Sequence, residues 1–536
     1  MSYTSLTFAV FAVITVVIYY LTDRRFQWVI LLAASVIFYL WAGYRYAFYL
    51  LGTLLSVFFG ALWMEHIAQK RKEKLAPLKE SMSRDERRAY KAATSRRRAW
   101  VLAGILVLNF GVLVFLKYFN FISGSLGETF GFVAPQFSLV LPLGISFYTF
   151  QAAAYAIDVY RETVSPERNF AKFTLYLSFF PQVVQGPIGN YSKLAPQLTA
   201  AHEPEFENFR LGGELILWGL FKKLVIADRA APLIQTVTAG YTSYNGAILL
   251  FTVLLYALQL YADFSGGIDI SRGVAKVLGI DLGLNFRQPY FSRTLTEYWQ
   301  RWHISLGEWM KTYLFYPLAM SKAGIGLGTA IGKSRFGKTA VGKHLSRTLA
   351  SAITSLIVFL VVGLWHGASD KYVAFGLWNG LILMLSTLLK PVFESVNKAL
   401  HVNTESWHHK LFQMLRTFLL VLIGYYFDIA PDAAGALDMM RRSVTDWGSV
   451  TLKFFREALA GLGLHTSDLI VLAFSLVIIW VNSLICERKN AATPGEWMRE
   501  KPVAEWILVY LIAILVVVVG CYGPGYDAAE FVYMQF

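Results

Sequence analysis

Thr348-Leu-Ala-Ser-Ala-Ile-Thr-Ser-Leu-Ile-Val-Phe-Leu-Val-Val-Gly-Leu-Trp-His366 is an apolar run long enough to cross a hydrocarbon core as a helix, and it closes on a histidine. The same pattern recurs on both sides of it. Apolar runs of 17 to 25 residues lie at 4–22, 26–42, 46–66, 99–118, 137–158, 211–227, 244–262, 371–390, 411–429, 467–486 and 503–521. Shorter or broken stretches near 172–188, 265–280 and 309–320 read as re-entrant or interfacial helices. The chain of 536 residues is 56% hydrophobic and 16% aromatic, with a mean hydropathy of +0.47, which excludes a soluble domain. The expected fold is all-α: a polytopic integral membrane protein of roughly 11–13 spans plus re-entrant helices.

A net charge of +14 suggests nucleic acid until its distribution is examined. Residues 70–98 hold twelve Lys or Arg against four acids, and 321–347 hold Lys322, Lys333, Arg335, Lys338, Lys343 and Arg347 with no acid. Both blocks fall between spans, as cytoplasmic loops do under the positive-inside rule, where anionic lipid headgroups attract them. No nucleic-acid partner is expected; membrane lipids are. With 70–98 inside, Arg24 and Arg25 also fall inside, and so do Arg488, Lys489, Arg499 and Lys501. Both termini are then extracytoplasmic, and His366 lies near the outer end of its span. Residues 4–22 have no basic residue ahead of them and end in Asp23-Arg24-Arg25, which fits a retained first span. On this topology Cys486 and Cys521 lie near opposite surfaces, about 30 Å apart, too far for a disulfide.

The chain reads as a single membrane domain with three blocks: N-terminal spans and a basic loop at 1–136, a core at 137–391, and C-terminal spans at 392–536. The middle block is interrupted by Leu141-Pro-Leu-Gly144, Pro181-Gln182, Gln185-Gly186-Pro187 and Phe264-Ser-Gly-Gly267. Irregular backbone survives at membrane depth only where protein or a water-filled cavity covers it, so the breaks predict a central funnel or tunnel.

Two histidines stand out. Tyr298-Trp-Gln-Arg-Trp-His-Ile-Ser-Leu-Gly307 and Gly363-Leu-Trp-His-Gly367 each set one beside tryptophan. An ionisable ring at membrane depth is costly and therefore points to function. Thr294 and Glu297 resemble a capping box, and the helix they open is expected to carry Trp299, Trp302, His303, Leu306 and Met310 on one inward face. The competing reading of His303 is a core histidine bonded to a carbonyl; that of His366 is a cation capping a helix C-terminus. Near neutral pH an imidazole accepts and donates protons, as general-base catalysis requires. Asp263 and Asp269 either orient a histidine or arginine, or cap a short helix starting near Ser265. Gln151, Gln185 and Asn379 suit interhelical hydrogen bonds. Gly332-Lys-Ser-Arg-Phe-Gly-Lys-Thr339 matches a phosphate-binding loop by letters alone, without the strand that gives such a loop meaning. No metal-ligand spacing appears, and His408-His409 fall in a polar loop.

Taken together, the segments resemble the membrane-bound O-acyltransferases, in the bacterial branch that acetylates alginate and transfers D-alanine to teichoic acids. The resemblance rests on Leu141-Pro-Leu-Gly-Ile-Ser-Phe-Tyr-Thr-Phe-Gln151, Phe179-Phe-Pro-Gln-Val-Val-Gln-Gly-Pro-Ile188, Gly219-Leu-Phe-Lys-Lys-Leu-Val-Ile-Ala-Asp-Arg229, Asp263-Phe-Ser-Gly266, Asn285-Phe-Arg-Gln-Pro-Tyr290 and the two histidine segments, in order over about 140–380. The basic insertion 321–347 has no counterpart in it. The resemblance implies a bacterial inner-membrane enzyme whose helices surround a passage joining the two faces. His366 would be catalytic, with His303 its partner in that passage, and Trp302, Ser305, Trp365, Asp263, Ser265, Gln151 and Asn379 supporting or contacting substrate. No bound cofactor is implied. The donor would be an acyl thioester, acetyl-CoA or an acyl-carrier protein, on the cytoplasmic side. The acceptor would be an extracytoplasmic polymer hydroxyl, reached directly or through an acyltransferase or polysaccharide-export partner. Ser265 and Ser305 are candidate nucleophiles for a covalent intermediate, but no nucleophile–base pair is evident and direct transfer is favoured. The rival is a proton-coupled transporter or lipid flippase using the same histidines, which would move substrate without cleaving it.

Overall fold

The structure, a computed structural model, describes residues 1–77, 82–133, 135–137, 139, 141–448, 451–491, 493–499, 501–523 and 531. Among these the regular structure is helical, and the one sheet-like pairing is an isolated antiparallel bridge between Phe286 and Trp302. Eight helices among the described residues are long and apolar enough to cross a membrane: α1 Tyr44–Leu75, α2 Arg84–Phe130, α3 Gly246–Val277, α4 Ala340–His366, α5 Asp370–Leu388, α6 Trp407–Ile429, α7 Thr466–Lys489 and α8 Pro502–Val519. The chain is an all-α, multi-pass membrane protein. Leu6–Leu21 and Gln27–Ala42 are shorter apolar helices. In α3, 72% of the apolar window is buried, against 17–44% in the other seven, so α3 is a core helix and the others present much of their surface to lipid.

Chain contacts divide the molecule into two compact units, Met1–Ile216 with Ile270–Gly283, and Leu217–Asp269 with Leu284–Phe536. In the first, the predicted run 137–158 begins its helix only at Ile145, because Gly144 adopts a left-handed backbone (φ +71°) as the cap. A methyl group there would fall 2.1 Å from the Val183 carbonyl oxygen. The stretch 172–188 is a helix, Phe170–Ser178, followed by irregular backbone whose polar groups are met from within. The Tyr3 hydroxyl donates to the Pro181 carbonyl at 2.8 Å, the Ser271 hydroxyl donates to the same carbonyl, and Gln182 Nε2 donates to that of Pro187 at 2.6 Å. Buried irregular backbone persists under this condition.

Further along the chain several predicted features differ. Phe264-Ser-Gly-Gly267 does not break a helix, and 265–280 is no separate segment, because α3 runs through the first and on to Val277. Gly266 serves close packing instead: a Cβ on it would meet the Gly219 carbonyl oxygen at 2.9 Å. The run 211–227 is helix Phe206–Leu220 continued by a π-helical turn, Phe221–Ala227. The stretch 309–320 resolves into the end of helix Ile304–Met310, a second π-helical turn and helix Tyr316–Ala319. The basic stretch 321–347 is helix Lys322–Lys333 and the first turns of α4 rather than open loop. The phosphate-loop lookalike is therefore a helix end and a short turn. His408 and His409 likewise sit in the first turn of α6, not in a loop.

Spans α4 and α5 form a close hairpin through glycine. A Cβ on Gly363 would lie 2.2 Å from the Tyr372 carbonyl oxygen, and one on Gly376 2.5 Å from that of Phe359. Small residues let membrane helices approach this way. Gly363→Ala forces backbone against backbone and is expected to cost about 1–3 kcal/mol, the range for overpacking. A melting temperature in detergent equal to that of wild type would contradict this packing.

Candidate active site

The site is built in the second unit around a break in the backbone. The Thr294 hydroxyl accepts from the Glu297 amide at 3.1 Å and opens helix Leu295–Arg301, while the Glu297 carboxylate turns back to the Arg293 amide at 2.8 Å. The expected continuous helix through His303 does not form. It stops at Arg301; Trp302 is extended and bridges to Phe286, and His303 takes a left-handed backbone (φ +49°) before helix Ile304–Met310. Asn285 holds this corner. Its carbonyl oxygen accepts from the Ile304 amide at 2.9 Å, and its side-chain Oδ1 accepts from the Ser305 amide at 2.9 Å. The same Oδ1 lies 3.3 Å from His303 Nδ1. Because Oδ1 can only accept, Nδ1 carries the proton in the neutral ring and Nε2 is the basic nitrogen.

His303 is buried, with Phe264 edge-on at 4.8 Å and Trp365 at 6.1 Å between ring centroids. It lies outside the membrane-spanning helices. Burial, and secondly the nearby His366, hold its pKa below the usual histidine range, which keeps it neutral. Trp302 stacks on Tyr298 at 5.7 Å.

His366 is the last residue of α4 and is buried, ringed by Trp365, Phe375 and Tyr372 at 5.1, 5.4 and 6.0 Å. The glycine that follows it matters: a Cβ on Gly367 would strike the Tyr372 ring at 2.3 Å. His366 lines a small cavity of about 20 Å³ with Tyr298, Trp299, Trp302, Asn379, Tyr425 and Asp428. That volume admits about one water or one hydroxyl group. Polar groups around it are tied together. Trp299 Nε1 donates to Asn379 Oδ1 at 3.2 Å, and the Tyr256 hydroxyl donates to Asp428 at 2.6 Å. The Tyr425 hydroxyl pairs with those of Tyr298 and Tyr290 at 2.9 and 3.0 Å.

Of the residues singled out in the sequence, His303, His366, Trp302, Trp365, Ser305 and Asn379 gather in this region, Asn379 making the interhelical bond its type suggested. Asp263 and Asp269 do not cap a short helix starting near Ser265, since both lie inside α3, and each meets a lysine. Asp263 pairs with Lys223 at 2.6 Å and Asp269 with Lys222 at 2.6 Å, and Lys223 also reaches Asp228 at 2.9 Å. Ser265 does not start a helix; it lies within α3, accepting from Lys222 at 2.8 Å and donating to the Tyr261 carbonyl at 2.5 Å. Gln151 belongs to the first unit, where its amide donates to the Tyr176 carbonyl at 2.9 Å. Sequence reasoning missed Asn285, Tyr425, Asp428 and the two buried lysines. Asp428 was signalled by a carboxylate at the end of an apolar run, and the lysines by charges inside one.

Comparison with known proteins agrees with this architecture. Residues 166–329 match the model of the membrane-bound O-acyltransferase family. A protein of Pseudomonas syringae pv. tomato named "Probable alginate O-acetylase AlgI" is 31% identical over 84% of this chain and 76% of its own length. The Helicobacter pylori peptidoglycan O-acetyltransferase is 30% identical over 65% of each chain. A teichoic acid D-alanyltransferase of Streptococcus thermophilus is 27% identical over 49% of this chain and 60% of its own. Two tryptophan-flanked histidines in a multi-pass helical protein, joined to this similarity, mean that the chain belongs to the membrane-bound O-acyltransferase family and is an O-acyltransferase.

Proposed function

We propose that the protein moves an acyl group, acetyl by preference, from a cytoplasmic thioester to a hydroxyl of an extracytoplasmic polysaccharide or other cell-envelope polymer, with His366 as the general base. The observation that carries this reading is His366 beside a hydroxyl-sized cavity among hydrogen-bonding side chains. The acceptor oxygen attacks the thioester carbonyl carbon while its proton passes to His366. The carbon–sulfur bond then breaks, and the departing thiolate takes that proton back, so no net proton is consumed. A positioned base of this kind contributes roughly 10²–10⁴-fold. His303, oriented by Asn285, polarises or positions the thioester. The supporting groups are Trp302, Trp365, Ser305 and Asn379, with Asp263 and Ser265 holding α3 in place and Gln151 acting within the first unit. Names of relatives support the acceptor class, since they act on alginate, peptidoglycan or teichoic acid. The donor is acetyl-CoA or an acylated carrier protein, and the polymer is reached directly or through an extracytoplasmic acyltransferase or export partner. The positive-inside pattern of residues 70–98 supports an inner-membrane protein with both termini outside.

The test is a labelled acetyl thioester supplied to protein in nanodiscs, with alginate, peptidoglycan fragments or teichoic acid as acceptor and native partners added. Label appearing in polymer as an alkali-labile ester is expected. Label moved across sealed proteoliposomes with the thioester intact would replace the transferase reading with a carrier.

A further inference from the structure

A second cavity lies in the same unit, outside the histidine site. It is a groove of about 640 Å³ between α3 and α7, floored by residues 288–291, and its lining is almost wholly apolar. Ligand pockets of roughly 300–1,000 Å³ hold small molecules. Leu254, Leu476 and Trp480 on its margin are 42%, 49% and 55% exposed, so it opens sideways, where lipid surrounds a membrane protein. Along α7 the lining runs from Leu469 to Ser483, about 21 Å at 1.5 Å per residue, more than half of a ~30 Å hydrocarbon core. The groove therefore accommodates the full depth of one leaflet.

Its two ends differ in charge. At the Ser483 end, Arg287 adjoins the lining residue Gln288, Arg293 follows Phe291 by two positions, and Arg416 precedes Phe418 by two. Arg416 donates to the Arg293 carbonyl at 2.8 Å, and Arg287 bonds Asn490, so two of the three are anchored at this rim. The rim carboxylate Glu405 is taken up by Lys410 at 2.9 Å. An apolar slot with arginines at one end is complementary to an amphiphile carrying a single anionic head.

We propose that this groove holds one anionic phospholipid, with an acyl chain between α3 and α7 and its phosphate at Arg287, Arg293 and Arg416. The site stands independently of the transferase chemistry. Its inner wall is Tyr261 and Tyr290, whose rings lie 6.4 and 6.3 Å from that of Trp302, so the bound chain buttresses the aromatic layer behind the histidine cavity.

The test is lipid retention by the full chain purified in mild detergent, read by native mass spectrometry and phosphorus assay. Phosphatidylglycerol is then competed against phosphatidylcholine. About one phospholipid per chain is expected, with phosphatidylglycerol preferred roughly fivefold or more, as an arginine cluster near an anionic head confers. Ala473→Trp, which fills the groove from α7, is expected to lose the retained lipid. Arg293→Gln with Arg416→Gln is expected to abolish the headgroup preference while leaving the groove intact. Folding of each variant is checked by its melting curve. Headgroup-blind exchange in the wild type overturns the proposal without recourse to any variant, and so does unchanged retention in folded Ala473→Trp.

Discussion

His366→Ala is expected to lower acyl transfer by roughly 10²–10⁴-fold, the range a positioned general base supplies. Acceptor and donor affinity should change far less, since the loss falls on the transition state, so kcat drops and KM holds. His366 closes α4 and is packed by three aromatic rings, so alanine also leaves a gap. His366→Gln fills most of that space and accepts a hydrogen bond without titrating, and it should be as inactive as alanine. Turnover of the thioester into polymer, measured beside a melting curve for each protein, separates chemistry from folding. A folded His366→Gln protein with wild-type turnover would remove His366 from the mechanism.

The second large effect is structural. Lys223 is 1% exposed and lies against two carboxylates that are equally buried, Asp263 at 2.6 Å and Asp228 at 2.9 Å. Lys223→Met removes the cation and leaves both acids without its charge. Breaking a buried pair from one side costs about 3–5 kcal/mol. The melting temperature in detergent should fall sharply, and monodisperse protein should become scarce. Adding Asp263→Asn to Lys223→Met should recover part of the loss, because it withdraws one uncompensated charge. If Lys223→Met melts with the wild type, the cluster contributes nothing to the fold. Phe264, next in sequence to Asp263, packs edge-on against His303 at 4.8 Å. The double variant should therefore regain stability ahead of activity.

What could be read in the sequence follows from the range of the interactions involved. Membrane-spanning helices announce themselves locally through length and hydropathy, and α5 to α8 fall close to their expected limits, while α4 ends where expected but starts eight residues earlier. Histidines beside tryptophan in such a setting were conspicuous for the same reason. Two kinds of feature were hidden. Ser265, Gly266 and Gly267 suggest a break until it is known that the Gly219 carbonyl packs against Gly266 and that a glycine can be required inside a helix for contact. The stop at Arg301 was invisible because His303 turns there to satisfy Asn285, eighteen residues earlier. The two lysines were quoted as part of a run, yet Asp269 and Asp263, which pair with them, lie some forty residues on, in a different helix.

The left-handed backbone at His303 bears on how its role is to be dissected. Alanine is poorly suited to φ +49°, so His303→Ala strains the corner as well as deleting the ring. Asparagine visits that region readily. His303→Asn thus keeps the chain path and lacks only the imidazole, so the difference between the two variants isolates backbone from side chain at one position.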